Sequence, residues 1–406
     1  MGDARTYAAA LISDNLGLAE GALKPVDVPN EMVHLVGSTL RGEVPGTPEP
    51  VIEEAILRFS SRLRDEALER DGHIVRKARW PGAAPFALCV THDVDNVARP
   101  RSHILARRER FSGSGLALAL LGLRSLYDNL SYVSDLERKR GLRSSFYLLS
   151  SEYDLSKLRS RAEKLLKEGW EVGLHGDFET HDSKEKMDEA ASRFSGSLGF
   201  KPEGLREHYL QFDYSKTWGI AQEAGFLYDS SVGNRDKLGF RVGLCTPFRP
   251  PGPDWEPMKL VELPLVLMDT TLWGYLKLGE EEGVKEAARL AERVLGLGGL
   301  FTLLWHQESV RMRGGRVFPK VLDLLLKRGP YSATGVEVAR WWGSRSVPLF
   351  REGGEYRLGG PAPKGLCLEF EGKEGLLPQV VGGTVEERRD RVLVKVESDG
   401  FRMKVG

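Results

Sequence analysis

From Trp80 onward the chain alternates short, unbroken apolar runs with longer stretches whose apolar residues recur at helical spacing. The runs Phe86–Val90, Ser144–Ser150, Trp170–His175, Gly204–Tyr209, Phe226–Ser231, Lys259–Leu267 and Gly298–His306 read as strands. Between or after them, residues 155–169, 184–195, 218–225, 280–295, 317–327 and 336–342 read as helices, the first stopping at Gly169. Runs that are apolar throughout suit strands covered on both faces, and repeated βα units predict a parallel sheet or barrel.

The flanks follow other patterns. Pro25, Pro29, Pro45, Pro48 and Pro50 break up a polar leader before a helical pattern that starts at Val51 and runs to about Arg70. After Ser344, paired glycines separate short alternating segments such as Leu366–Phe370 and Arg391–Val396, the pattern of small antiparallel strands. The expected organisation is therefore a helical extension over 1–75, an α/β barrel over 76–345 and a β-rich module over 346–406.

Composition narrows the classes. Lys+Arg and Asp+Glu are both 58, so no global basic field recruits nucleic acid, and no aromatic-interleaved basic motif is present. The basic run Arg99–Arg110 reads as a solvated helix face. Three dispersed cysteines, Cys89, Cys245 and Cys367, fit neither a disulfide framework nor a thiolate metal site, and they suit a reducing compartment. The first residues lack a charged leader with a long apolar core, and the run Gly113–Gly122 is too short to span a bilayer. A cytoplasmic protein without a membrane span is the expectation.

The candidate chemistry sits where strands end. Thr91-His-Asp-Val-Asp95 follows the first strand, His175 with Glu179 and His181 the third, Arg206 with His208 the fourth, and His306 the last. The C-terminal ends of parallel strands are where loops converge on one point. An Asp-rich turn capping the next helix is the plainer reading of Asp93 and Asp95 taken alone. A mixed His/carboxylate set without thiolates suits zinc or another divalent cation in a hydrolytic site.

In order and spacing these residues resemble the polysaccharide deacetylases (NodB-homology domain, carbohydrate esterase family 4), over roughly Trp80 to Trp342. The resemblance implies an irregular (β/α) barrel, one bound divalent metal (zinc, with cobalt or nickel as alternatives) and an acetylated carbohydrate or glycoconjugate as substrate. It implies Asp93 as general base, Asp95 and His175 as metal ligands, and Arg206 as the group orienting the base. Tyr209 would supply the oxyanion-binding amide, and His306 would be the general acid. Where the family offers a second metal histidine four residues after the first, this chain has Glu179, with His181 two further on. Either would complete the metal set. Leu304 would line the acetyl pocket, and Trp305, His208 and Asp229 would lie near the substrate. The expected activity is removal of acetyl groups, chiefly N-acetyl. The alternatives are hydrolysis of another non-peptide C–N amide and, because of Glu179, a non-catalytic carbohydrate-binding relative.

Overall fold

A computed structural model describes residues 3–111, 113–122, 125–312, 314–388 and 391–405. Ten strands precede the C-terminal region: β1 (His73–Lys77), β2 (Ala87–Val94), β3 (Ser145–Leu149), β4 (Glu171–His175), β5 (Gly204–Arg206), β6 (Tyr228–Asp229), β7 (Val261–Glu262), β8 (Leu265–Met268), β9 (Leu300–Leu304) and β10 (Tyr331–Ser332). β2 to β9 form one curled sheet in the order β7-β6-β5-β4-β3-β2-β9-β8, parallel throughout, and β10 adds to the start of β2. The molecule is a mixed α/β structure whose parallel sheet forms an open (β/α) barrel.

β7 and β8 follow one another in sequence yet lie at opposite edges of that sheet. The run Lys259–Leu267, expected to be one strand, is divided at Leu263 and Pro264. Pro264 has no N–H to give to a ladder. On either side of it, the Leu263 N–H donates to the Asp229 carbonyl and the Leu265 N–H to that of Val232. The barrel is thus closed on one side by covalent continuity.

Side chains alternate along each strand, and this sorts them between two environments. In β2, Leu88, Val90 and Val94 join the apolar layer shared with the outer helices. Ala87 and Cys89 join a separate interior cluster with Tyr147 and Tyr228. Thr91 and Asp93 extend that inner row toward the C-terminal mouth. The opposite end is plugged by the helix Gly335–Arg345, whose first N–H groups donate to Ser145 Oγ (2.8 Å, from Gly335) and Glu171 Oε2 (2.9 Å, from Val336). A carboxylate there satisfies orphan donors and complements the helix dipole.

The helices Ala4–Leu16, Asn30–Leu40 and Val51–Asp71 bury Tyr7, Ile12, Val36 and Ile56 in the same apolar layer as the barrel helices. Two four-stranded antiparallel sheets complete the chain. One of them takes β1 as an edge, pairing His73–Lys77 with 368–372, so this sheet straddles the boundary expected near residue 75. Buried Arg345 ties the parts together by donating to the carbonyls of Asp14, Asn15, Lys77 and Ala78. Among the described residues no helix is long and apolar enough to cross a membrane.

Candidate active site

Asp93, Asp95, His175, His208 and His306 line one cavity of about 520 Å³ at the C-terminal mouth of the barrel. Parity places them. Asp93 and Thr91 share the inner face of β2, and His175 ends the inner row of β4, after Gly173. Arg206 ends β5, and His306 follows the inner residues Leu300, Thr302 and Leu304 of β9. His92, between Thr91 and Asp93, faces outward. Its Nδ1 donates to the Trp305 carbonyl (2.6 Å), and its Nε2 meets Glu137 Oε1 (2.8 Å).

Asp95, His175 and His208 bring one ligand-type atom each to within 4.8 Å of one another. His175 Nδ1 donates to the Arg206 carbonyl at 2.7 Å, which fixes the ring and turns Nε2 toward Asp95 Oδ1 (3.2 Å) and Asp93 Oδ2 (3.6 Å). His208 Nε2 lies 3.9 Å from the same Asp95 oxygen. His208 Nδ1 is buried without a hydrogen-bond partner among the described residues. Burial and the His175 charge push the His208 imidazole down to about 4, against the pull of Asp95, so the ring is neutral at neutral pH. Burial would raise Asp95, but hydrogen bonding to His175 and the charges of His306, His175 and His208 hold it below the ordinary carboxylate range. An ionised carboxylate, a neutral imidazole and a second imidazole oriented by a backbone carbonyl form a donor set that fits a divalent cation.

Two further pairs flank this cluster. Arg206 is fully buried. Its Nη1 lies 3.5 Å from Asp93 Oδ1, and its Nη2 donates to Ser230 Oγ (2.9 Å) and Thr91 Oγ1 (3.3 Å). Opposite, His306 Nε2 stands 3.9 Å from Asp95 Oδ2, while its Nδ1 donates to Asp269 Oδ1 at 2.7 Å. Burial opposes the charged imidazolium, yet the Asp269, Asp95 and Asp93 carboxylates together raise His306 well above its ordinary value. Glu308 also lines the cavity, and burial together with the Asp95 charge pushes its carboxyl up to about 8.

Several expected residues lie elsewhere, for identifiable reasons. Glu179 is exposed and His181 turns away, because the loop after β4 is pinned to its neighbours. Thr180 Oγ1 donates to Glu207 Oε2 (2.5 Å), Arg193 holds Asp177 (2.7 Å), and the His181 carbonyl accepts the Thr217 hydroxyl (2.7 Å). His181 lines an adjoining cavity of about 410 Å³, which shares Leu210 and Arg235 with the first. The place expected for one of them in the cluster is taken by His208, which was expected near substrate. Trp305 faces the outer layer, against Phe318 and Trp273. Leu304 lies beneath the cavity in an apolar cluster with Leu210, Leu265 and Met268, of which Leu210 and Met268 form the wall. Asp229 is buried behind Arg206, bonded to Ser231 and paired with Glu262. Tyr209 is at the mouth, 54% exposed and stacked on His208, with left-handed backbone (φ 57°) continued by Leu210 (φ 52°). Such strain in bulky residues persists where the surroundings fix it, commonly at functional loops.

Asp269 and Glu308 were not anticipated. Asp269 immediately follows β8 and obeys the same strand-end rule as the others, but the undivided reading of Lys259–Leu267 gave no reason to look there.

The fold and this mouth define an open parallel (β/α) barrel with a His/carboxylate site at its C-terminal end. No protein-family profile and no curated protein matches the sequence. Solved structures do. A Mycobacterium smegmatis structure assigned as a polysaccharide deacetylase aligns with 67% of this chain and 96% of its own, with a TM-score of 0.50 and 16% identity. A PuuE allantoinase aligns with 66% of this chain and 93% of its own, with a TM-score of 0.47 and 16% identity. A family 4 carbohydrate esterase from Streptomyces lividans, solved with acetate, aligns with 62% and 93%, with a TM-score of 0.33 and 15% identity. At these identities the likeness is one of fold, and the fold is the NodB-type (β/α) barrel of the polysaccharide deacetylases.

Proposed function

We propose that this chain is a metal-dependent hydrolase that removes acetyl groups, chiefly N-acetyl, from a sugar or glycoconjugate. Asp95, His175 and His208 are the residues that would hold one divalent cation, zinc first, with cobalt or nickel as alternatives. The chemistry such a cation supplies when bound is Lewis acidity toward the acetyl carbonyl and a pKa near ~7 for a water beside it. Asp93 then takes the proton of the attacking water, oriented by the Arg206 guanidinium 3.5 Å away. The Tyr209 backbone amide is the candidate donor to the developing oxyanion. His306, held by Asp269, gives its Nε2 proton to the departing nitrogen.

The observation that carries the reading is the grouping, within one cavity, of a three-residue ligand set, a carboxylate backed by a buried arginine and a histidine backed by a buried aspartate. The test is metal content of the purified protein, followed by acetate release from N-acetylated sugars. Near-stoichiometric metal that is lost in Asp95→Ala, with acetate release that disappears alongside it, is the expected result. Wild-type protein that takes up no cation after reconstitution would rule the mechanism out.

A further inference from the structure

The catalytic cavity is not isolated. A second cavity of about 930 Å³ shares Trp273 and Met312 with it, and its wall includes Leu126, Tyr132, Leu136 and Phe318. Between the two lies a segment of unusual charge. Arg99, Arg101, Arg107, Arg108 and Arg110 fall within twelve residues of a chain whose net charge is zero. Arg99, Arg107 and Arg110 are close enough to depress His103, after burial, by their charge. None of the five makes an ion pair among the described residues, and neither does Arg235. Arg110 and Arg235 both line the catalytic cavity.

The segment is anchored at this place. Phe111 forms an antiparallel bridge with Met312, in the stretch that follows His306. Ile104, Phe111, Leu126 and Tyr127 make their own buried cluster against Met312. The residue after Arg110 is thereby held against Met312, which both cavities share. The sequence alone suggested a solvated helix face. In the fold, only Arg101–Ala106 of this stretch is α-helical, and Arg110 and Arg235 stand at a mouth that already holds Asp93, Asp95 and Glu308.

We propose that the substrate is an acetylated sugar joined through phosphate to a bulky aglycone. The sugar would occupy the His/carboxylate cavity, the phosphate would lie against Arg110 and Arg235, and the aglycone would enter the adjoining cavity, whose apolar side chains are joined by Glu280, Arg311 and Arg316. Arginine suits this task because its guanidinium pairs with phosphate oxygens in a fork. A neutral sugar would leave these guanidiniums without a counter-charge. The phosphate chemistry is common to two carriers, a nucleotide and a polyprenyl lipid, and either a base or an isoprenoid chain would meet a wall in which Arg311 lies over the Tyr132 ring, 3.6 Å from its centroid. The proposal rests on reading the first cavity as the acetyl-sugar site, but its test does not require turnover.

The experiment is calorimetric titration of full-length protein stripped of metal with EDTA, so that phosphate cannot bind through a cation. The probes are N-acetylglucosamine, N-acetylglucosamine 1-phosphate, UDP-N-acetylglucosamine and N-acetylglucosaminyl farnesyl diphosphate in detergent. The phosphorylated sugar is expected to bind at least about tenfold more tightly than the neutral one. That advantage should shrink as salt is raised and vanish in Arg110→Gln/Arg235→Gln protein of unchanged melting temperature. Equal binding of the neutral and phosphorylated sugars, or an advantage that survives the double substitution, overturns the proposal. Further gain with UDP identifies a nucleotide carrier and gain with farnesyl a lipid one, each abolished by Tyr132→Ala. No gain with either overturns the assignment of the second cavity. Metal uptake by the Asp95 cluster is read separately, so loss of the hydrolase reading and loss of this one are distinguishable.

Discussion

Asp269 Oδ1 accepts a hydrogen bond from His306 Nδ1 at 2.7 Å, and Asp269 Oδ2 accepts the His306 backbone N–H at 3.2 Å. The two residues follow neighbouring strands, β8 and β9, so the carboxylate fixes both the position of the histidine and the nitrogen that faces the cavity.

Replacing Asp269 by Asn should therefore impair proton donation while sparing the cation cluster. We expect kcat on an N-acetyl sugar to fall by about 10²-fold or more, within the range of general acid catalysis. Metal content should be unchanged. An activated aryl acetate, whose leaving group needs no proton, should lose far less. Equal losses on the two substrates would show that His306 is not the acid.

The ligand set separates His208 from the two residues suggested by the loop sequence. His208→Ala should weaken zinc binding by roughly 100-fold or more, since loss of even a supporting partner of a ligand costs 10–100-fold. Glu179→Ala and His181→Ala should leave it unchanged. Competition with a fluorescent chelator measures all three. Retention of zinc by the His208 variant with loss in His181→Ala would restore the loop histidine to the site.

Glu308 makes stability depend on pH. Its folded value near 8 lies above the ordinary carboxylate value, so between the two the folded state holds a proton that the unfolded chain has released. Its contribution is fully present below about pH 4 and is lost as pH rises toward 8, at up to about 1.4 kcal/mol per unit. Glu308→Gln should flatten that slope in metal-free protein. Urea unfolding at pH 5.5 and 8 checks it, and an unchanged slope would refute the assignment.

Arg345 is fully buried and donates to carbonyls on both sides of residue 75. Truncation to Ala should leave those acceptors unpaired and destabilise the protein by about 3 kcal/mol or more. Limited proteolysis should then release the first helix and the C-terminal sheets earlier than in wild type. A melting temperature within a degree of wild type would count against this role.

Much of the barrel could be read from apolar runs, because a parallel strand buried on both faces has few other ways to be written. Asp93, Asp95, His175 and His306, which share one cavity with Arg206 behind Asp93, drew attention because they lie at or just after strand ends. The errors have two physical sources. Parity along a strand decides which side a residue faces, and the buried Trp305 and Asp229 fell on the outer side. Local bonding decides where a loop points, and the Thr180–Glu207 hydrogen bond carries Glu179 away from the cluster. The partner of β1 was illegible for another reason, since His73 and Gly372 meet across most of the chain.

The break at Leu263 and Pro264 also sets an order of events during synthesis. β2 to β7 can zip together in sequence as the polypeptide leaves the ribosome, each strand joining the one before. β8 cannot take part, because among the described residues it pairs with β9 alone, and β9 in turn closes the far edge of β2. Until Leu300–Leu304 has emerged, both β2 and β8 present unpaired backbone, a surface prone to pairing with other chains. Nascent chains ending short of residue 304 should accordingly occupy holdase chaperones, whereas chains a little longer should not.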